Sequence, residues 1–280
     1  MNGKAVVLTG PTSGIGKEIA RSLAALGAHL ILGCRDEAAG TALAAELGRL
    51  PGASSIQVVP VDLSRRASVV QFARAISGAR SRLDVLINNA GVSRGPQPWA
   101  ATEDGIEVTF ATNVIGYFLT ATLLLPLLKA GAPARIVNVA STFASDLDLD
   151  DLEFRRRPWE GMKAYAQSKA CDRLLTWALA RRLDGTGVTA NAMAPGLIAD
   201  TGLYRHTPAE IMERLRQRGG GRTAADGADT AVWLAVSPEV ETVSGKLFEN
   251  RKEIPCQFRG RENEERLWGI CERLAAEPRS

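Results

Sequence analysis

Tyr165 and Lys169 stand four residues apart in the stretch AYAQSKACDRLL. A phenol has an ordinary pKa of about 10 and is a poor proton acceptor at neutral pH. On a helix predicted over 165–183, positions i and i+4 share a face, so the Lys169 ammonium comes near the phenol and favours its ionised form. Such a pair lets Tyr165 protonate a carbonyl oxygen or deprotonate an alcohol. Ser141 follows an apolar strand predicted over 135–139 and is placed to donate a hydrogen bond to the same substrate oxygen. An isolated YxxxK reads more simply as a surface pair, so the assignment depends on what surrounds it.

The chain opens with VVLTGPTSGIG. Residues 5–8 form a short apolar run, Thr9, Gly10 and Pro11 supply a turn, and a helical pattern runs over 16–26. This is strand, glycine loop, helix. Gly10 permits the tight turn, Gly14 lets backbone approach a pyrophosphate, and Gly16 lets the helix pack on the strand, with free helix N–H groups facing the negative charge. Glycine-rich turns also occur for purely structural reasons. Further strands predicted over 29–33, 56–60 and 83–87, with amphipathic helices between them, add the βαβ rhythm of a parallel sheet. The third runs into Asp62 and Leu63, and the fourth into Asn88-Asn89-Ala90-Gly91, at the ends where such sheets collect ligands. The expected fold is α/β, a Rossmann-type doubly wound parallel sheet flanked by helices. It forms a single catalytic domain over 1–250, with substrate segments at 142–163 and 197–222, followed by a helical extension over 251–280.

Thr-Gly-x-x-x-Gly-Ile-Gly at 9–16, Asn-Asn-Ala-Gly at 88–91, Asn113, Ser141, Tyr165-x-x-x-Lys169 and Pro195-Gly196 together resemble the short-chain dehydrogenases/reductases over about residues 4–250. Cys34-Arg35-Asp36, LDLDDLEF at 147–154 and SGKLF at 244–248 resemble the retinol-dehydrogenase-like branch. The resemblance implies a dinucleotide held by Gly10, Ser13, Gly14, Ile15 and Gly16, with Asp62 and Leu63 flanking the adenine. Asn89, Ala90 and Gly91 would line the cleft, and Pro195, Gly196 and Ile198 would approach the nicotinamide. It also implies that Lys169, with Tyr165, holds the nicotinamide ribose and that Asn113 binds a water extending a proton relay. Asn113 falls inside a long helix predicted from Thr102 to about Leu124, and taken alone it reads equally well as a polar residue that caps or kinks a helix. One place departs from the pattern: where relatives commonly carry threonine four residues after Gly196, this chain has Asp200, with Thr201 next.

Cofactor choice is set where the second strand ends. NAD sites usually place an acidic residue there; this chain has Cys34 and then Arg35, whose guanidinium can pair with a 2′-phosphate, so NADP(H) is expected over NAD(H). Asp36 leaves two alternatives: a one-residue shift that favours NAD(H), or a cap on the next helix.

The 280 residues carry 34 basic and 31 acidic side chains, a net charge of +3, which gives no general affinity for nucleic acid or membranes. Four cysteines without ligand spacing, and only His29 and His206, argue against a metal site. Reduced thiols, a first strand starting directly after Lys4, and an apolar stretch at 117–128 too short to span a bilayer and broken by Pro126 lead to an expectation of a cytoplasmic protein. Membrane-bound relatives in the branch carry an N-terminal anchor, and none is expected here.

Substrate choice is expected in the two irregular segments. The first carries Phe143, Leu147, Leu149, Leu152, Phe154 and Trp159; the second carries Leu203, Tyr204 and a capping box at Thr207-x-x-Glu210. They point to a lipophilic or aromatic carbonyl or alcohol, or simply cover the core. Arg155, Arg156 and Arg157, with Arg214, Arg216, Arg218 and Arg222, read as a solvated charge run or as an attractor for anions. Glu262 to Ala276 repeats Leu267, Ile270, Cys271 and Leu274 at helical spacing. A homodimer or homotetramer through the two long helices is implied by the resemblance. Two other functions fit the same sequence: a redox-neutral or multistep conversion, and a non-catalytic NADP-binding regulator.

Overall fold

The computed structural model describes residues 1–95, 97–198 and 222–276, together with Glu210, Glu213 and Gln217. Strands β1 (Ala5–Thr9), β2 (His29–Cys34), β3 (Ile56–Pro60), β4 (Val85–Asn88), β5 (Ala134–Val139), β6 (Val188–Met193), β7 (Leu247–Glu249) and β8 (Lys252–Glu253) form one sheet in the order β3-β2-β1-β4-β5-β6-β7-β8. All neighbours are parallel except β7 and β8. The strand order reverses between β1 and β4, so their carboxyl ends open the crevice at which doubly wound sheets bind ligands.

Alternate residues of the strands feed two cores. Val7, Leu86 and Ile136 face one layer, while Val6, Leu8, Val85, Ile87 and Val137 face the other. The second layer holds α1 (Gly14–Ala25), α2 (Glu37–Leu47) and α6 (Ala224–Val236). The first holds α3 (Arg66–Ala79), α4 (Val108–Ala130), α5 (Gly161–Arg182) and α7 (Arg261–Ala276). With both faces covered, the strands can be apolar on both sides, as β1 is.

Two expectations about α4 are corrected. The helix starts at Val108 and not near Thr102: residues 102–107 form a turn closed by an Ala101–Glu107 bridge, and the Glu107 carboxylate caps the helix by accepting from the Thr109 and Phe110 amides. Nor does Pro126 break it. The proline sits on the exposed side, and the helix runs 23 residues at a hydropathy of 1.6, long and apolar enough by composition to cross a bilayer. In this fold 78% of that apolar window is buried, so α4 is a core helix. Residues Ala111–Ile115 within it are wound as a π-helix.

The tail beyond residue 250 shares the core. The boundary expected there falls inside the β7–β8 hairpin, and α7 buries Leu267, Cys271 and Leu274 in the same cluster as α4 and α5. Arg182 lies over the Trp268 ring at 4.0 Å, Arg181 pairs with Glu264, and Arg66 donates to the last carbonyls of α7 at Ala275 and Ala276. As a result α5 is buried without interruption from Ala164 to Leu179.

Candidate active site

The glycine loop is shaped by sterics. Gly10 has φ +67°, in the left-handed region, and a Cβ there would come within 2.7 Å of Ala90 Cα. A Cβ on Gly16 would run into the Gly10 carbonyl oxygen and the Asn89 amide. Asn89 fastens the two loops together: its Nδ2 donates to the Thr9 and Gly10 carbonyls at 2.9 Å, and Thr9 Oγ1 accepts from the Asn89 and Ala90 amides.

The start of α1 is left open. Ser13 makes no side-chain cap bond and no acidic residue lies in the first turn. By contrast, Asp36 caps α2 by accepting the Ala39 amide at 2.9 Å, and Thr223 with Asp226 forms a capping box on α6. Uncapped amides at a helix N-terminus suit an anion. They open into a cleft of about 280 Å³ that runs from the glycine loop past Arg35 to Tyr165, Lys169 and Pro195. These residues fit a dinucleotide.

At the outer end, β2 stops at buried Cys34; Arg35 is exposed and makes no ion pair among the described residues. The Asp36 carboxylate caps α2 through Oδ1, as one of its two readings expected, and Asp36 also lines the cleft. Asp62 accepts from the Ser64 amide and hydroxyl, and with Leu63 it forms the adjacent wall.

At the inner end, the buried Tyr165 phenol meets the Ser141 hydroxyl, which also accepts the Phe143 amide at 3.0 Å. Burial pushes the phenol above its ordinary pKa, the Ser141 contact pulls it down, and Asp172 adds to the rise. Lys169 Nζ donates to the Val139 carbonyl at 2.9 Å and to Asp172 Oδ2 at 2.8 Å, and it lies 5.9 Å from the Tyr165 ring centre. In this cofactor-free cleft burial outweighs any lowering of the phenol by Lys169, whose ammonium is paired with Asp172.

Asn113 stands behind the cleft in the π-helical turn. Its Oδ1 accepts the Val92 amide at 2.8 Å, and its Nδ2 donates to the Val92 carbonyl and to Ser168 Oγ. Ser168 in turn donates to the Tyr165 carbonyl at 2.7 Å, so Asn113 ties α4 to the helix that carries the phenol.

A family model for short chain dehydrogenases matches residues 4–211. The chain belongs to the short-chain dehydrogenase family. Retinol dehydrogenase 14 of Homo sapiens is 42% identical over 272 residues, spanning 90% of this chain and 80% of that protein. Retinol dehydrogenase 12 of Homo sapiens is 39% identical over 277 residues, spanning 97% and 86%. Among solved structures, a short chain dehydrogenase from Burkholderia cenocepacia in complex with NADP has a TM-score of 0.72 and 29% identity, covering 88% of this chain and 96% of that one. The Pseudomonas aeruginosa RhlG/NADP active-site complex has a TM-score of 0.71 at 29% identity, covering 89% and 94%. This short-chain dehydrogenase is thus an oxidoreductase of the retinol-dehydrogenase-like branch.

Not every expected residue of the dehydrogenase reaches the cleft. Gly196 (φ +76°) packs on Arg222, and Ile198 is buried against Gly227. Asp200, Thr201 and Thr207 lie outside the described residues, as does most of 197–222. Thr12, Val92, Thr112 and Val139 line the cleft without having been singled out in the sequence. Tyr117 and Asp172 surround Lys169; the i+3 spacing of Asp172 from Lys169 was the only signal available for either.

The apolar residues of 142–163 mostly face inward. Leu149, Leu152 and Phe154 are buried, Trp159 stacks edge-on against Phe154 and donates to the Gln97 carbonyl, and Phe143 is 52% exposed. The acids are also committed: Asp151 accepts the amides of Arg155, Arg156 and Arg157, while Arg157 reaches Gln167. The segment is a braced wall, the second of its two readings, in which these residues cover the core.

Proposed function

We propose that this dehydrogenase interconverts a carbonyl and an alcohol on a lipophilic or aromatic small molecule, using NADP(H), with Tyr165 as acid/base. The observation that carries the reading is the Tyr165–Ser141 contact at the inner end of a cleft that begins at an uncapped helix.

A bound nicotinamide cofactor supplies or accepts the hydride. The amides at the start of α1 hold the pyrophosphate, and Arg35 pairs with a 2′-phosphate. Ser141 orients the substrate oxygen by a hydrogen bond. Tyr165 donates its proton to that oxygen in reduction and withdraws it in oxidation; a phenol kept protonated by burial is ready for the reductive direction. Lys169 supplies positive charge behind the phenol, and Asn113 holds α4 and α5 in register.

NADP(H) over NAD(H) is supported by exposed Arg35, without an ion pair among the described residues, beside a capping Asp36, and by the NADP named for two structural relatives. The lipophilic substrate is supported by the names of the retinol dehydrogenases. A cytoplasmic location is supported by four free cysteines and by the burial of α4. An oligomer through the two long helices would have little of α5 to use, since that helix is already buried from Ala164 to Leu179.

The test is consumption of NADPH and NADH by the purified protein over lipophilic aldehydes, aryl ketones and cyclic ketones, with Tyr165→Phe beside it. The reading expects NADPH turnover that Tyr165→Phe lowers by about 10²–10⁴-fold. Turnover that survives the substitution removes Tyr165 from the chemistry.

A further inference from the structure

Helix α5 brings one more ionisable group to the inner end of the cleft than this chemistry uses. Asp172 lies three residues beyond Lys169 on the same helical face, and its side chain is 0% exposed. Its Oδ2 accepts from Lys169 Nζ at 2.8 Å, while the carbonyl of Val139, the last residue of β5, takes a second ammonium proton at 2.9 Å. An ammonium has three donors. The third is left on the side of Tyr117 and Tyr165, whose ring centres lie 5.2 Å and 5.9 Å from Nζ.

A carboxylate and an ammonium both withdrawn from water are each costly alone, and each makes the other tolerable. The surroundings offer Asp172 little else. Its Oδ1 has no hydrogen-bond partner among the described residues, and the gap that Asp172 lines with Phe118, Asn138 and Leu175 has no room for water. Around it stand Lys169, Tyr165 and Cys171 from α5, Tyr117 from α4 and Cys271 from α7. Burial pushes both tyrosines and both cysteines up, so they are neutral at working pH and Lys169 is the cation that faces Asp172.

We propose that Asp172 is a positioning residue that keeps Lys169 charged and pins its ammonium between the end of β5 and the two tyrosines. The proposal rests on Tyr165 and Lys169 being the proton-handling pair. The balance of effects on Lys169 favours it: burial acts against the charged form, yet Asp172, with Tyr117, holds the ammonium above its ordinary value. Burial lifts Asp172 to about 6, with Lys169 pulling the other way, so the ion pair is complete above that pH. Without the carboxylate only Tyr117 opposes the effect of burial on Lys169, and the ammonium loses its proton as pH rises through a lowered value.

The experiment uses lysine-labelled full-length protein, following the side-chain carbon signal of Lys169, assigned with Lys169→Arg, through a pH titration. In the wild type Lys169 is expected to titrate above the ordinary lysine value of about 10.4. In Asp172→Asn it is expected below that value, with turnover lost on the alkaline side at a pH where the wild type still works. A wild-type Lys169 that titrates below the ordinary value overturns the proposal, and so does an Asp172→Asn titration that overlays the wild type. Should Asp172→Asn fail to fold, the wild-type titration decides alone. The titration needs no substrate, so it stands apart from the Tyr165→Phe test of the reaction itself.

Discussion

The Trp268 indole of α7 stands edge-on to the Phe118 ring of α4, with centres 4.9 Å apart and planes at 73°. Phe118 lies three residues after the π-helical turn that holds Asn113, so the tail is packed directly behind the site. Trp268→Ala removes this edge contact and the platform for Arg182, and it leaves a void beside Leu267 and Cys271. The expected loss is on the order of 3 kcal/mol in denaturant unfolding. Arg182→Ala, which removes the outer cation together with its exposed pair to Glu265, should cost about 1 kcal/mol or less. Equal losses for the two would mean that the ring contact is not what holds α7 down.

Neighbouring Arg35 and Asp36 should separate cleanly into affinity and stability. Arg35→Ala is expected to weaken NADPH binding by about tenfold or more, the equivalent of one charge-assisted contact, and to leave NADH binding nearly unchanged. Asp36→Ala removes the α2 cap and should cost about 1 kcal/mol of stability. Fluorescence titration with each cofactor, beside thermal unfolding, reads both. An NADPH affinity indifferent to Arg35 would return the cofactor question to NAD(H).

Two buried carboxylates should give stability opposite slopes with pH. Burial alone would raise Asp84, but the Ala5 amide and the Arg82 and Lys4 side chains bring it below its ordinary 3.8. Its contribution is present above that value and lost as pH falls through the lower folded one. Asp172 is raised from 3.8 to about 6, so its contribution is complete below 3.8 and is lost as pH rises through 6. Between those limits stability should decline by on the order of 3 kcal/mol, and Asp172→Asn should abolish that decline. Denaturant midpoints measured for both proteins across this range check it; parallel slopes would assign the effect to another group.

Much of this site could be read in the sequence because its signals are local. The strand, Gly10, Gly14, Gly16 and the helix after them follow one another within about a dozen residues, and Tyr165 and Lys169 are one helical turn apart. Asp36 was readable as a cap, and the fold shows that cap. The turn at 102–107 was hidden by a helical pattern that continued through it, even though Asp104-Gly105 is turn chemistry. A π-turn leaves no mark in hydrophobic spacing, so the geometry around Asn113 was not accessible. The roles of Phe154 and Trp159 depended on which way their segment folded back. Asp172 is the sharpest case: its spacing from Lys169 was visible, but its burial depends on α7, which lies some ninety residues further along the chain.

The open start of α1 makes the protein's persistence depend on its cofactor. A helix whose first amides await an anion gives up stability when the cleft is empty and recovers it when phosphate settles there. Opening of the glycine loop, and with it exposure of the loop to proteases, should therefore be rarest in cells with a plentiful dinucleotide pool. The abundance of this dehydrogenase would then follow the supply of the molecule it consumes, with no separate regulator needed.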